Sequence, residues 1–277
     1  MTDVIQARAH LMQQVGDHVR NGYRWWCSGT VPLEKAQAWA AKAQTLYNVE
    51  EDRNRRARSK RAGRGSAYLL MYPLDRSLDN QRIGWILLVT DGIHAAHQAE
   101  RPRRAEDDHV TLFGYSLVRE PRPAHDKPVW TWRMSRPTYE AWRERIIDTV
   151  RRGSDFDIRQ LLKMLAGAPG FSAIRAQIKA LHRFIGYEYA RRHGKRSRPQ
   201  YTLPRIWKCP RMEVVRVSLS AYLKALAEKR REAADEARDS IETATRIEAE
   251  IGDAAQPVRQ RRLKLEVPVA AAVLPGE

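Results

Sequence analysis

Apolar positions along this chain follow a helical period, then a strand period, then a helical period again. Between residues 4 and 20, Val4, Leu11, Met12, Val15 and Val19 fall at helical spacing and predict an amphipathic helix. Residues 23–27 read as a short strand or an aromatic turn. Pro32 then opens a second helix over 33–47, with Trp39, Ala43 and Tyr47 on one face. The middle of the chain holds four short segments, 67–72, 83–90, 110–119 and 129–134, rich in β-branched and aromatic residues. Pro73, Asp91-Gly92, Pro121, Pro123 and Pro128 punctuate them. Four strands in series predict a mostly antiparallel meander, and 94–108 is a long insertion within it.

Beyond the strands the helical period returns. Ser135-Arg136-Pro137 starts a helix carrying Tyr139, Trp142, Ile146 and Val150 on one stripe. A second runs over 155–165, capped by Ser154 or Asp155, until Gly167-Ala168-Pro169-Gly170 breaks it. A third runs over 171–193, with Phe171, Ile174, Ile178, Leu181 and Ile185 inward. Residues 198–209 are irregular and 213–217 suit a strand. Residues 219–251 predict one long charged helix, its seam weak at Arg230, Ala233 and Ala237. The expected fold is therefore α+β: N-terminal helices, an antiparallel sheet of about four strands, then a helical C-terminal half ending in a long helix. The expected domains are a helix-flanked sheet over 1–153, with a basic loop at 50–66, a helical domain over 154–252, and a disordered tail over 253–277.

Charge changes the picture. The formal net charge is +17 over 277 residues. Residues 53–64 are basic at most positions and contain no acid. Such a run repels itself unless an anion neutralises it, and the usual anion is a phosphate backbone. Its glycines, Gly63 and Gly65, predict a loop, or an arm that orders on binding. Arg101, Arg103 and Arg104 repeat the theme, as do 191–198 and 259–264. The candidate phosphate contacts are Arg53, Arg55, Arg56, Arg58, Lys60, Arg61 and Arg64 on the first run, and Arg191, Arg192, Lys195, Arg196 and Arg198 on the later one. Tyr187, Tyr189 and Tyr201 flank the later run, a mixture that suits stacking of unpaired bases.

The helix pair 157–165 and 171–193 around a glycine-containing turn has the outline of a helix-turn-helix element. Arg175, Lys179 and Arg183 recur every four residues on its second helix, away from the apolar stripe, as a ridge for a groove. The alternative is a packed hairpin with a solvated basic face. His94-Ala95-Ala96-His97 after Asp91, with Asp107-Asp108-His109, raises metal chemistry, since His at i and i+3 share a helix face. The two alanines break the alternation of a nicking-enzyme metal motif, so these are read as loop histidines. No metal, cofactor or catalytic residue is assigned, although Tyr139, Tyr187 and Tyr189 are available nucleophiles. The eight tryptophans are read as core.

Phosphate-loop, dinucleotide-binding and nucleophile-elbow motifs are absent, which excludes ATPases, dehydrogenases and hydrolases of those kinds. Cys27 and Cys209 form no paired motif, and no secretory leader or bilayer-length apolar run is present. A reducing, cytoplasmic, bacterial setting with no membrane partner is expected.

The phrases Thr111-Leu112-Phe113-Gly114-Tyr115-Ser116-Leu117-Val118-Arg119 and Trp130-Thr131-Trp132-Arg133-Met134, with Pro169-Gly170-Phe171-Ser172, Arg175 and Gln177, resemble proteins encoded on proteobacterial plasmids and integrative conjugative elements. The likeness spans roughly residues 65 to 210. It implies a mobile-element setting, in replication, transfer, regulation or defence, and brings no catalytic residue. The resulting expectation is a non-enzymatic nucleic-acid-binding protein, with DNA preferred to RNA. Helix 219–251 would be free for a protein partner. The alternatives are a metal-dependent nuclease or nicking replication initiator, and an RNA-binding subunit of a larger nucleoprotein complex.

Overall fold

A computed structural model describes residues 2–74, 82–122, 125–194, 204–206 and 215–262. The fold is α+β. A mixed sheet of six strands has the order β5-β2-β4-β3-β1-β9. Its strands are β1 (Asp3–Val4), β2 (Trp25–Pro32), β3 (Ala67–Pro73), β4 (Arg82–Val89), β5 (Arg103–Arg104) and β9 (Val217–Ser218). All neighbours are antiparallel except β1 and β3. A second, antiparallel sheet joins β6 (Thr111–Leu112), β7 (Tyr115–Arg122) and β8 (His125–Met134). The helices are α1 (Arg8–Arg20), α2 (Ala36–Tyr47), α3 (Arg53–Arg61), α4 (Ala95–Ala99), α5 (Arg136–Arg152), α6 (Asp155–Ala166), α7 (Ser172–His193) and α8 (Leu219–Arg262).

The four expected strands form, but not one meander. The first two are β3 and β4 of the mixed sheet, and the last two are β7 and β8 of the second sheet. The alternating pleat explains the division. Leu70, Tyr72, Ile86 and Leu88 face one core together with α1, α5, α6, α7 and the second sheet. Leu69, Met71, Leu87 and Val89 face the other core, with Ala36, Ala40, Ala43 and Tyr47 of α2 and with Leu219. A sheet covered on both faces needs continuously apolar strands, which is how β4 reads. The second sheet is tied to the first layer by Trp132, 1% exposed, whose Nε1–H donates to the Met12 carbonyl at 2.8 Å.

Local chemistry sets the helix starts. Ser135 caps α5 by accepting from the Thr138 amide, and Ser154 and Asp157 form a reciprocal capping box at α6. Helices α5, α6 and α7 share the core of α1 and the second sheet, so packing is continuous across Gly153. The chain divides instead into two compact units, Met1–Leu223 and Lys224–Glu277. Of the second unit the described part is the continuation of α8, which extends beyond 251 to Arg262, into the stretch expected to be a disordered tail. The rest of that tail lies outside the described residues. Among the described residues no helix is long and apolar enough to cross a membrane.

The basic run is where local expectation fails. Residues 53–61 are a helix, not a loop. Asp52 holds extended backbone angles and its carboxylate accepts from the Arg55 amide at 2.8 Å, an N-cap. Arginine and lysine are good helix formers, and Arg58, Lys60 and Arg61 fill the last turn, where the helix dipole favours cations. Gly63, at φ +68°, ends the helix, and the Arg64 amide returns to the Ser59 carbonyl at 2.9 Å.

Candidate nucleic-acid interface

Helix α3 has no buried residue and no acid in its first turn. Hydrophobic burial therefore does not hold it. Its anchor is Arg56, the partly buried cation of the run. The Arg56 Nη2 donates to the Val49 carbonyl at 2.8 Å, and its guanidinium lies 4.6 Å from the centre of the Tyr68 ring. His18 stacks on Tyr68, with ring centres 4.0 Å apart. Arg216 completes the cluster, donating to the Tyr68 hydroxyl and to Gln14 Oε1, each at 3.0 Å. Burial, then the charges of Arg56 and Arg216, hold the His18 imidazole down to about 4, so it is neutral at pH 7.

The other cations of the run behave differently. Arg53, Arg55, Arg58, Lys60, Arg61 and Arg64 are all exposed. Among the described residues none of their side chains makes a hydrogen bond or an ion pair. Arg55, Arg58 and Arg64 line a cleft of about 510 Å³, together with Ile93 and His94. Backbone pairing builds its floor: the Gly65 amide donates to the Ile93 carbonyl at 3.0 Å, beside a parallel bridge between Arg64 and Ile93. Gly92, at φ +109°, lies so close that a Cβ there would sit 2.7 Å from the Gly63 carbonyl oxygen.

A second basic cluster is neutralised internally. Arg103 pairs with Asp108 at 2.7 Å and lies 4.2 Å over the Trp26 ring. Arg24 and Arg104 flank the Glu106 carboxylate at 3.2 and 3.4 Å. The ends of α7 are likewise engaged. Arg191 pairs at 2.7 Å with Glu188, a carboxylate only 4% exposed, and Arg192 donates to the Val150 carbonyl at the end of α5. These two expected phosphate contacts thus have internal partners. Lys195, Arg196 and Arg198 lie outside the described residues, as does Tyr201.

On α7, Lys179 and Arg183 are exposed and Arg175 is partly buried, its Nε enclosed without a partner. The opposite face, with Ile174, Ile178, Leu181 and Ile185, belongs to the core. Gln177 clamps the helix to β8, accepting from the Met134 amide at 2.6 Å and donating to its carbonyl at 3.2 Å. The helix pair α6–α7 is thus fixed on a sheet, and its outward ridge is Lys179 and Arg183.

The histidines of the insertion have structural partners. His94 caps α4, its Nδ1 accepting from the Ala96 amide at 3.2 Å, and burial keeps its pKa below the usual histidine range. His97 Nε2 lies 3.0 Å from the Thr90 carbonyl, and its ring stands edge-on to Trp25. The Trp25 indole N–H in turn donates to Asp91 at 2.8 Å. Among the described residues no three His, Cys, Asp or Glu side chains converge to hold a metal ion. Cys27 is a free thiol that burial pushes up to about 12, which makes it a poor nucleophile.

Neither Ile93 nor the contact of Arg192 with the Val150 carbonyl was visible in the sequence. Ile93 is 87% exposed, and only the glycine before it hinted at a turn. No family model, curated protein or solved structure matches this chain.

Proposed function

We propose that this protein binds nucleic acid, and that α3 with its flanking Arg64 is the principal phosphate contact. The observation that carries the reading is the contrast between clusters. Arg24, Arg103, Arg104, Arg191 and Arg192 have partners within the fold. The side chains of the six outward cations of the α3 region make no hydrogen bond or close ion pair among the described residues, Asp52 alone acting on Arg55 and Arg58 through space, yet their backbone is ordered by the Asp52 cap and the Arg56 anchor. A preorganised, unneutralised cationic helix lowers the entropic cost of meeting a polyanion and steers its approach. Lys179 and Arg183 on α7 extend the same chemistry.

Salt dependence tests it. If all six cations meet phosphates, log K for a random duplex falls with log salt at a slope of about 5. The fluorescence anisotropy of a labelled duplex, titrated between about 50 and 200 mM salt, measures that slope. Replacing Arg53, Arg55, Arg58, Lys60, Arg61 and Arg64 by glutamine should flatten it. An unchanged slope removes α3 from the interface, and no binding at low salt rejects the function.

A second reading, a subunit of a larger nucleoprotein assembly, is favoured by α8. Ile241 and Ile247 on it are 68% and 51% exposed, two apolar side chains in solvent on a charged helix. Retention of a defined partner by the full chain but not by Ile241→Asp/Ile247→Asp would support it.

A further inference from the structure

The convex side of α3 can follow any phosphate backbone, but the cleft beside it is built for something narrower. Its volume of about 510 Å³ falls within the range of small-molecule sites. Three guanidiniums, from Arg55, Arg58 and Arg64, line it against one carboxylate, Glu51. Two large apolar side chains also line it: Ile93, 87% exposed, and Leu46, 46% exposed. Ile93 stands in solvent on a backbone that is held in place. The Gly65–Ile93 hydrogen bond and the tight packing of Gly92 on residues 63–65 fix the Ile93 main chain beside Arg64. His94 at the rim is occupied as the α4 cap, and burial keeps its pKa below the usual histidine range.

Cations beside exposed apolar surface match a ligand with an anionic end and a flat apolar face. A paired duplex shows its phosphates and groove edges but keeps its base faces stacked. An unpaired nucleotide shows both. We infer that the cleft between α3 and Ile93 takes one unpaired nucleoside phosphate, its phosphate on Arg55, Arg58 and Arg64 and its base against Ile93 and Leu46. The inference rests on the phosphate-binding reading of α3 and adds a preference for single-stranded over paired nucleic acid. The same chemistry belongs to a free nucleotide and to a nucleotide within a strand.

The test compares four probes on the full chain: inorganic phosphate, deoxyadenosine monophosphate, a labelled single-stranded deoxyadenosine oligonucleotide and a labelled duplex. The variants are Ile93→Ser, which changes an exposed side chain and leaves the fold intact, and Arg58→Gln. Ile93→Ser should weaken the single strand by about tenfold, the fold-change expected from burying most of one isoleucine, and leave the duplex unchanged. Arg58→Gln should weaken both. Deoxyadenosine monophosphate should displace the single strand better than phosphate does if the ligand is a free nucleotide. If it fails to compete while Ile93→Ser still weakens the strand, the ligand is a nucleotide within a chain. Equal single-strand affinity in Ile93→Ser and the unaltered protein overturns the inference, as does an equal loss for strand and duplex. In either case, salt-dependent duplex binding leaves the phosphate reading of α3 standing. Failure of every oligonucleotide to bind instead strikes the phosphate reading itself.

Discussion

Acidification should loosen the body of this protein through one side chain. His18 stacks on Tyr68 between Arg56 and Arg216, and its folded-state pKa is about 4 against an ordinary 6.5. The folded pKa is the lower one, so the unfolded chain takes up the proton first as pH falls. Stability attributable to neutral His18 is complete above about pH 6.5 and is withdrawn between there and pH 4. Linkage puts the loss at about 1 kcal/mol by pH 5.5 and about 2–3 kcal/mol by pH 4.5 and below. Urea unfolding followed by tryptophan fluorescence reports it, because every tryptophan lies before residue 208 and so in the first compact unit. The comparison is with His18→Gln, which keeps a planar group and cannot titrate. The difference in unfolding free energy between the two should shrink by those amounts as pH drops. An NMR titration of the His18 ring should give a midpoint near 4. A ring titrating near its ordinary value, with a pH-independent difference, would refute the electrostatic account of this cluster.

Two further substitutions probe the scaffold. Arg56→Gln removes a cation from above Tyr68 and the donor to the Val49 carbonyl, so the His18 midpoint should rise and hydrogen exchange across α3 should accelerate while β3 and β4 stay protected. An unmoved His18 midpoint would mean that Arg56 does not act on it. Gly84→Ala places a methyl group 2.4 Å from the Tyr72 ring carbon on the neighbouring strand, and thermal or urea unfolding should show a cost of about 1–3 kcal/mol. A neutral result would show that Tyr72 can swing aside.

Helices whose apolar stripe meets the core were legible. The stripe Ile174, Ile178, Leu181 and Ile185 is buried as the spacing demands, and Ser135 and Ser154 cap where a short polar side chain precedes a periodic run. Helix α3 was not legible by that rule, because it has no stripe. Its one sequence signal was Asp52 immediately before a run of good helix formers. The split into two sheets was hidden because β2, far earlier in the chain, takes the edge of β4, and such long-range pairing leaves no periodic trace. For the basic clusters, the partners decide. Asp108 and Glu106 stand close in sequence to Arg103 and Arg104, so their pairing could be read. The Val150 carbonyl that receives Arg192 lies 42 residues away and could not.

The placement of β1 has a consequence for biogenesis. Val4 sits between Met71 on one side and Val217 on the other, and the Leu219 amide donates to the Thr2 carbonyl. Strand β1 is therefore flanked by β9, which is made long after it. Until residue 218 has emerged, one edge of the amino-terminal strand stays open while the arginines of α3 already stand outside the exit tunnel. The mixed sheet closes only once β9 has been made, and a polyanion near the ribosome meets the cationic helix before then.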